Sequence, residues 1–334
     1  MRLHSLSHVI AFIALPLVAH GEPVNECDRL AALEADPSAV SEPVAFIDIQ
    51  PEKVVNACTD ALNAGNNAEP RFLLQRARGY LRGGQAELAL TDLNTAHDLG
   101  YPAATFGLAT AYFLGDDVER DDARAESLFL QAYQGGVIWA ARGLASLYGD
   151  PASELFDLDK SEMWEDRFHR GQQVSKIISS YRMQCAATQE EFIELVPDDY
   201  TAPSKVLQID QESIYELRIS EDQIATVVYA DFSCENIGRG WCGSGGCSYH
   251  IVAGGQVFSG AGGKPYSFNE ETNPMLIFPR GGGACTLSDG RTAPNTSPCF
   301  SVASWDTANQ LFSSVDNALP LSLEFMDGAG VPQK

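Results

Sequence analysis

Two patterns of apolar positions divide the chain. From residue 51 to 150, Ala and Leu recur at helical spacing, as in Ala89, Leu93 and Ala96 and again in Ala125, Leu128, Phe129 and Ala132. Positions three and four apart share one face of a helix, so this spacing predicts amphipathic helices. From Ser213 onward the apolar residues alternate or come in short runs: IYELRI, ATVVYADF, CSYHIV, QVF, PYSF, MLIF and CFSVASW. Gly-Gly, Asn-Pro and Asp-Gly steps separate them, which predicts a small domain of about five to seven short antiparallel strands. The chain of 334 residues is long for one domain and two are expected.

The helical region repeats itself. Gly107-Leu108-Ala109 with Tyr112 returns as Gly143-Leu144-Ala145 with Tyr148, and Leu99-Gly100 foreshadows Gly135-Gly136, both at an offset of 36 residues. A more worn copy runs Ala77-Arg78-Gly79-Tyr80, its tyrosine 32 residues before Tyr112. Small residues allow two helices to approach and large ones fill the groove between pairs. The implied unit is a helix hairpin that buries its apolar face only against its neighbours.

The stretch LATAYFLGDDVERDDARAESLFLQAYQGG, 108 to 136, resembles a Sel-one-like repeat, a relative of the tetratricopeptide repeat. Tyr112, Gly115, Val118, Asp121 and Ala125 match its pattern in order, Asp117 replaces its second loop glycine, and the resemblance spans roughly 51 to 150. It implies an α-solenoid that serves as a protein-binding scaffold or adaptor, and it implies no catalytic residues. The expected fold class is therefore α+β: an N-terminal α-solenoid of helix hairpins followed by a disulfide-stabilised antiparallel β domain. The expected boundaries are 1–21, 22–150 for the repeats with their cap, 151–199 for a helical linker, and 200–334 for the β domain.

Residues 1 to 21 carry one early basic residue, Arg2, an apolar run from Val9 to Ala19, and small residues before Glu22. This is the layout of a cleaved secretory signal, and the run is short for a bilayer. The expected location is periplasmic or secreted, with no membrane anchor after cleavage. That compartment changes the meaning of the eight cysteines, Cys27, Cys58, Cys185, Cys234, Cys242, Cys247, Cys285 and Cys299, all beyond the signal. An even count in an oxidising compartment favours disulfides. Zinc is the competing use, yet His97, His169 and His250 have no partner at ligand spacing, and Cys242 to Cys247 is a lone C-x4-C step. Cys27 opens the segment CDRLAALEA and Cys58 lies in PEKVVNACTDALNAG. A terminal repeat needs its open face covered, so these two are expected to tie a capping segment to the first repeat helix. The same start resembles exported repeat proteins of Gram-negative bacteria. The other six cysteines leave 15 pairings open. A net charge of −23 repels phosphate backbones and anionic headgroups, which disfavours nucleic acid and membrane surfaces as partners.

Between the two regions, Asp157, Asp159 and Ser161 begin like a calcium loop, but Glu162 stands where glycine is required and Phe168 where the bidentate acid belongs. Met163, Trp164, Phe168, Val174, Ile177, Ile178 and Tyr181 instead form a stripe expected to pack a helix onto the last repeat.

The segment DFSCENIGRGWCGSGGCSYHIVAGG, with GGGACTLSDG and CFSVASWD after it, resembles a cysteine- and glycine-rich domain of exported bacterial proteins over about 225 to 306. That resemblance implies a location and a fold, and no reaction. Within it, Gly243-Ser244-Gly245-Gly246 is similar to a chymotrypsin-like G-D-S-G-G loop without the aspartate, and His250 lies six residues on. A triad needs a histidine base oriented by a carboxylate, and the G-x-S-x-G elbow fails because position 242 is Cys. Catalytic dithiols are usually C-x-x-C at a helix N-terminus, whereas C-x4-C among glycines favours a stapled turn. The glycines of 254–265 and 279–285 fit no phosphate loop, so no cofactor is expected. Trp241, Tyr249, Phe258, Tyr266 and Trp305 are expected to be core more than a ligand platform. The leading expectation is a scaffold that binds a protein partner on its helical-repeat surface, the β domain adding a second interaction surface. The alternative is a hydrolase with Ser244 and His250 at its site.

Overall fold

The computed structural model describes the backbone of residues 24–64, 69–116, 118–194, 207–219, 223–234, 240–243, 246–270, 273–280, 291, 299–306 and 311–315. The chain is a mixture of helix and antiparallel sheet, and it divides into two compact units, Met1–Phe168 and His169–Lys334. Among the described residues there are eight helices: α1(Glu26–Ala31), α2(Pro51–Ala64), α3(Pro70–Arg82), α4(Ala86–Asp98), α5(Pro102–Leu114), α6(Asp122–Gln134), α7(Trp139–Gly149) and α8(Leu158–Glu194).

Local signals explain the helix ends. Pro70 and Pro102 sit in the first turns of α3 and α5, where a missing N–H costs nothing. Asp121 caps α6, its side chain accepting the Arg124 N–H at 2.9 Å. Beyond α4 and α6 the chain reverses at Gly100 (φ 80°) and Gly136 (φ 91°). The next N–H groups, of Tyr101 and Val137, donate to Ala96 O and Ala132 O at 3.0 Å each. This is a Schellman turn, which satisfies otherwise orphaned carbonyls and needs the left-handed conformation that glycine adopts without cost.

The 36-residue repeat is physical as well as textual. A Cβ at Gly107 would stand 3.0 Å from Leu93 Cδ2, and one at Gly143 would overlap the Phe129 ring. Leu93 and Phe129 are both buried, so each glycine lets a large side chain of the preceding helix lie flat against its backbone. In the worn copy Gly79 stands likewise against Val54, and Arg76 lies over Tyr80 at 5.7 Å. After α5 the Asp121 N–H donates to Tyr112 O at 3.0 Å, and after α7 the Asp157 N–H donates to Tyr148 O at 2.8 Å. Arg124 lies over the Tyr112 ring at 4.2 Å, and Lys160 over Tyr148 at 4.9 Å. Gly115, at the end of α5, is left-handed and its missing Cβ leaves room for Arg120.

These matches carry the repeat past residue 150. The opening turns of α8 occupy the place that α6 has one period earlier, with Trp164 and Phe168 at the positions of Leu128 and Ala132. The stripe read as one linker helix therefore divides. Trp164 and Phe168 bury themselves in the core of the first unit, while Ile178 and Tyr181 belong to a core of the second, and Met163 is exposed. Where α4 and α6 end at glycine, α8 meets a single Gly171 and runs on to Glu194.

The start of the first unit is closed by residues 24–50. The Cys27–Cys58 disulfide joins α1 to α2. Buried Asp28 pairs with Arg71 at 2.9 Å and accepts from Gln75 Nε2 at 3.0 Å. Arg78 donates to the carbonyls of Ala31, Ala32 and Val44, and burial pulls its guanidinium down to about 10. Tyr101 donates to Asp36 at 2.6 Å, and burial raises the Asp36 carboxyl above its ordinary range.

The second unit contains, among the described residues, eleven strands against the five to seven expected. They are β1(Leu207–Gln208), β2(Ile214–Arg218), β3(Ile224–Tyr229), β4(Ser233–Cys234), β5(Cys242–Gly243), β6(Gly246–Ala253), β7(Gln256–Gly262), β8(Tyr266–Glu270), β9(Asn273–Arg280), β10(Cys299–Asp306) and β11(Leu311–Val315). Four of them lie outside the seven runs seen in the sequence: β1, β4 and β5, which are two residues long and too short to alternate, and β11. One sheet runs β2-β3-β6-β5 with β7 also on β6; another runs β11-β10-β9-β8. Alternation sends Ala225, Val227, Tyr249 and Ile251 into a core shared with Leu276, Phe278 and Trp305 of the second sheet. Tyr249 stacks on Phe278 at 4.7 Å, and it fits because its cross-strand partner, Gly260, has no side chain. The other face of the first sheet, with Val228, Ala230 and Phe232, packs against Ile178, Tyr181 and Cys185 of α8.

Gly143→Ala should destabilise the first unit by about 1–3 kcal/mol, the usual cost of overpacking a close contact. Adding Phe129→Leu should recover part of that loss in a thermal-unfolding double-mutant cycle. Additive effects would show that the two positions do not touch.

Candidate functional site

The motif WCGSGGC forms a hairpin. Cys242 and Cys247 are directly opposed on β5 and β6 and joined as a disulfide with Cα atoms 3.9 Å apart. On the adjoining pair the Ser248 N–H donates to Trp241 O at 3.0 Å. Position 242/247 is thus a non-hydrogen-bonded pair, where facing side chains come closest. Ser244 lies outside the described residues, as does Cys285; Cys299 is the first residue of β10. A third disulfide, Cys185–Cys234, ties α8 to β4.

His250, the other half of the expected hydrolase pair, stands in a different company. β6 and β7 are joined by Gly254 (φ 53°) and Gly255 (φ 73°), and this tight turn sets His250 opposite Ser259. His250 Nδ1 is 2.7 Å from Ser259 Oγ, and Nε2 is 2.9 Å from the Tyr181 hydroxyl of α8. Tyr181 is also hydrogen-bonded to Ser248. Its ring is held edge-on by Phe232 at 5.2 Å and Trp241 at 5.0 Å, and the Trp241 Nε1–H donates to Gln184 Oε1 at 2.9 Å. The stapled hairpin therefore supplies the indole that closes over Tyr181. Burial lowers the His250 pKa below its ordinary value and raises that of Tyr181. Both groups are held neutral near pH 7 because an imidazolium or a phenolate here loses hydration without gaining a counter-ion.

The pairing of His250 with Ser259 and Tyr181 escaped the sequence reading, in which Tyr181 stood only as part of an apolar stripe. Ser259 was within reach of it, since His250 and Ser259 are equally far from the Gly254-Gly255 turn and a two-residue hairpin opposes such positions. Tyr181 lies 69 residues before His250, and nothing local links them.

The repeat-signature residues are placed structurally. Gly107 and Gly143 lie at helix contacts, Gly115 and Gly136 at turns, and Tyr80, Tyr112 and Tyr148 carry cations over their rings. Beside Tyr148 a groove of about 600 Å³ opens between α7 and the start of α8. Ala145, Ser146 and Gly149 line one side, Leu158 and Ser161 the other, with Asp150, Glu162 and Glu165 at its rim. The Ala152 N–H, which donates to Asp150 at 2.9 Å, and then the pair with Arg120 at 2.7 Å hold the Asp150 pKa below the usual carboxylate range.

Among the described residues no group of three or more His, Cys, Asp or Glu is placed to hold a metal ion, and no helix is long and apolar enough to cross a membrane. No family model, characterised protein or solved structure matches the chain.

Two measurements test this geometry. Replacing Cys185 and Cys234 by Ser should cost about 4 kcal/mol and replacing Cys242 and Cys247 about 2, because loop entropy grows with the enclosed length; those lengths are 49 and 5 residues. Equal losses in chemical denaturation would contradict the assignment. For His250 the folded pKa lies below the ordinary 6.5. Its contribution to stability is present above the unfolded pKa and is lost as pH falls through the folded one. Thermal midpoints should therefore fall between pH 7 and pH 5 more steeply in the parent than in His250→Gln.

Proposed function

We propose that the chain is a protein-binding scaffold acting outside the cytoplasm, with the helix pairs as its docking surface and the β unit as a second interaction surface. One observation carries this reading: the same arrangement of glycine against a large side chain, and of Asp N–H on a Tyr carbonyl, occurs twice at an interval of 36 residues. Helix pairs stacked by a regular contact form a solenoid, whose extended face takes segments of other proteins. The Sel-one-like resemblance of 108–136 points the same way. The signal-like N-terminus and the three disulfides support an oxidising, extracytoplasmic compartment, where such bridges persist.

The groove between α7 and α8 is the part of that surface that we assign to a partner. Its small and apolar lining admits an apolar side chain, and its acidic rim favours a neighbouring Lys or Arg by electrostatic complementarity. A photo-reactive amino acid at exposed Ser146 should crosslink one defined protein in cells, and Glu162→Lys should reduce that adduct several-fold. Absence of an adduct at 146, or an adduct indifferent to Glu162→Lys, would count against the groove.

A further inference from the structure

We propose that Ser259 is a base-activated nucleophile that His250 serves, and that it accepts acyl groups from small activated carboxylic esters. The tautomer of His250 that carries its proton on Nε2 makes this possible. The exposed Ser259 hydroxyl lies 2.7 Å from His250 Nδ1. An imidazole that accepts at Nδ1 carries its proton on Nε2, which donates to the Tyr181 oxygen at 2.9 Å. Ser248 is hydrogen-bonded to the same Tyr181 oxygen. In that tautomer the imidazole presents a bare nitrogen to an exposed hydroxyl. A hydrogen-bonded nucleophile and base, with the base oriented by a third group, is the arrangement that activates serine. Burial, which keeps the imidazole neutral, leaves that nitrogen available at physiological pH.

The strand backbone supplies the electrophile's other need. The hairpin closes at Ala253 and Gln256 across the Gly254-Gly255 turn. Hydrogen-bonded and non-hydrogen-bonded pairs alternate from there, so His250 and Ser259 form a non-hydrogen-bonded pair. The Ser259 N–H then points away from β6, and among the described residues β7 pairs with β6 alone. A nucleophile's own N–H beside the attacked carbonyl is a recurrent oxyanion donor. Ser259 is exposed, and Tyr181, which orients the base, is only 5% exposed. The site therefore admits small esters from solvent.

In the step itself Ser259 Oγ bonds to the carbonyl carbon while His250 Nδ1 takes the hydroxyl proton. The bond from carbonyl carbon to the leaving alcohol's oxygen then breaks, and that oxygen takes the proton back from His250. The products are O-acylated Ser259 and the free alcohol, with no oxidant or metal required.

The test uses the full-length, oxidised chain with p-nitrophenyl acetate and, separately, a fluorophosphonate probe, followed by peptide mapping. Both adducts are expected on Ser259, with an acylation rate that is level above about pH 7 and falls below 6.5. His250→Gln should lower the rate about 100-fold, the usual scale of general-base assistance. Tyr181→Phe keeps the ring between Phe232 and Trp241 and should lower the rate without shifting the melting temperature by as much. No adduct on Ser259, a rate unchanged by His250→Gln, or a rate that rises tenfold per pH unit with no plateau in the parent protein would each overturn the proposal.

Discussion

Both units depend on large side chains seated where a neighbouring residue has no Cβ. Phe129 lies against Gly143, Leu93 against Gly107, and Tyr249 across Gly260. Close-packed interiors do not absorb an added methyl without displacing something, so these contacts fix how near one helix or strand comes to the next. The consequences spread outward. With Leu93 and Phe129 set flat against the following helix, alanines such as Ala104, Ala140 and Ala141 can be completely buried at the same crossings. With Tyr249 seated, its ring stacks on Phe278 and joins the cores of two sheets.

Covalent and ionic ties serve the places that such packing leaves weak. Among the described residues no helix pair precedes α2 and α3, and residues 24–50 cover that end through Cys27–Cys58 and the buried Asp28–Arg71 pair. A buried ion pair adds little net stability but penalises alternative packings that would leave either charge unpaired; here it specifies which face of α3 the cap covers. The two-residue strands of the second unit have few ladder bonds of their own, and two of them, β4 and β5, each carry a disulfide. The shortest of these loops steadies Trp241, and through it the Tyr181 ring beside His250.

How much of this was legible in the sequence follows from the range of each interaction. The helical unit was legible where its glycines and tyrosines recur unchanged, from Gly107 to Tyr148. It ceased to be legible where Leu128 and Ala132 give way to Trp164 and Phe168, and where the paired Gly135 and Gly136 are followed one period on by Gly171 alone. Larger side chains preserve the packing while erasing the identity. In the β unit, the alternation of β2, β3 and β6 could be seen, whereas β1, β4 and β5 are too short to show any. The Cys242–Cys247 bridge was one of many pairings open to the sequence, and the opposed positions on β5 and β6 select it. The Tyr181–His250 contact is set by tertiary packing over 69 residues, beyond any local pattern.

The division of α8 is where sequence and structure part most clearly, because one continuous helix contributes Phe168 to the first core and Tyr181 to another. Native-state hydrogen exchange on the full-length chain reads this directly, since residues of one cooperative unit open together. Amides of 158–168 should share the opening free energy of α6 and α7, with a different value for β3 and β6. Exchange of 158–168 in step with β3 and β6 instead would contradict the continuation of the helix-pair repeat to Phe168.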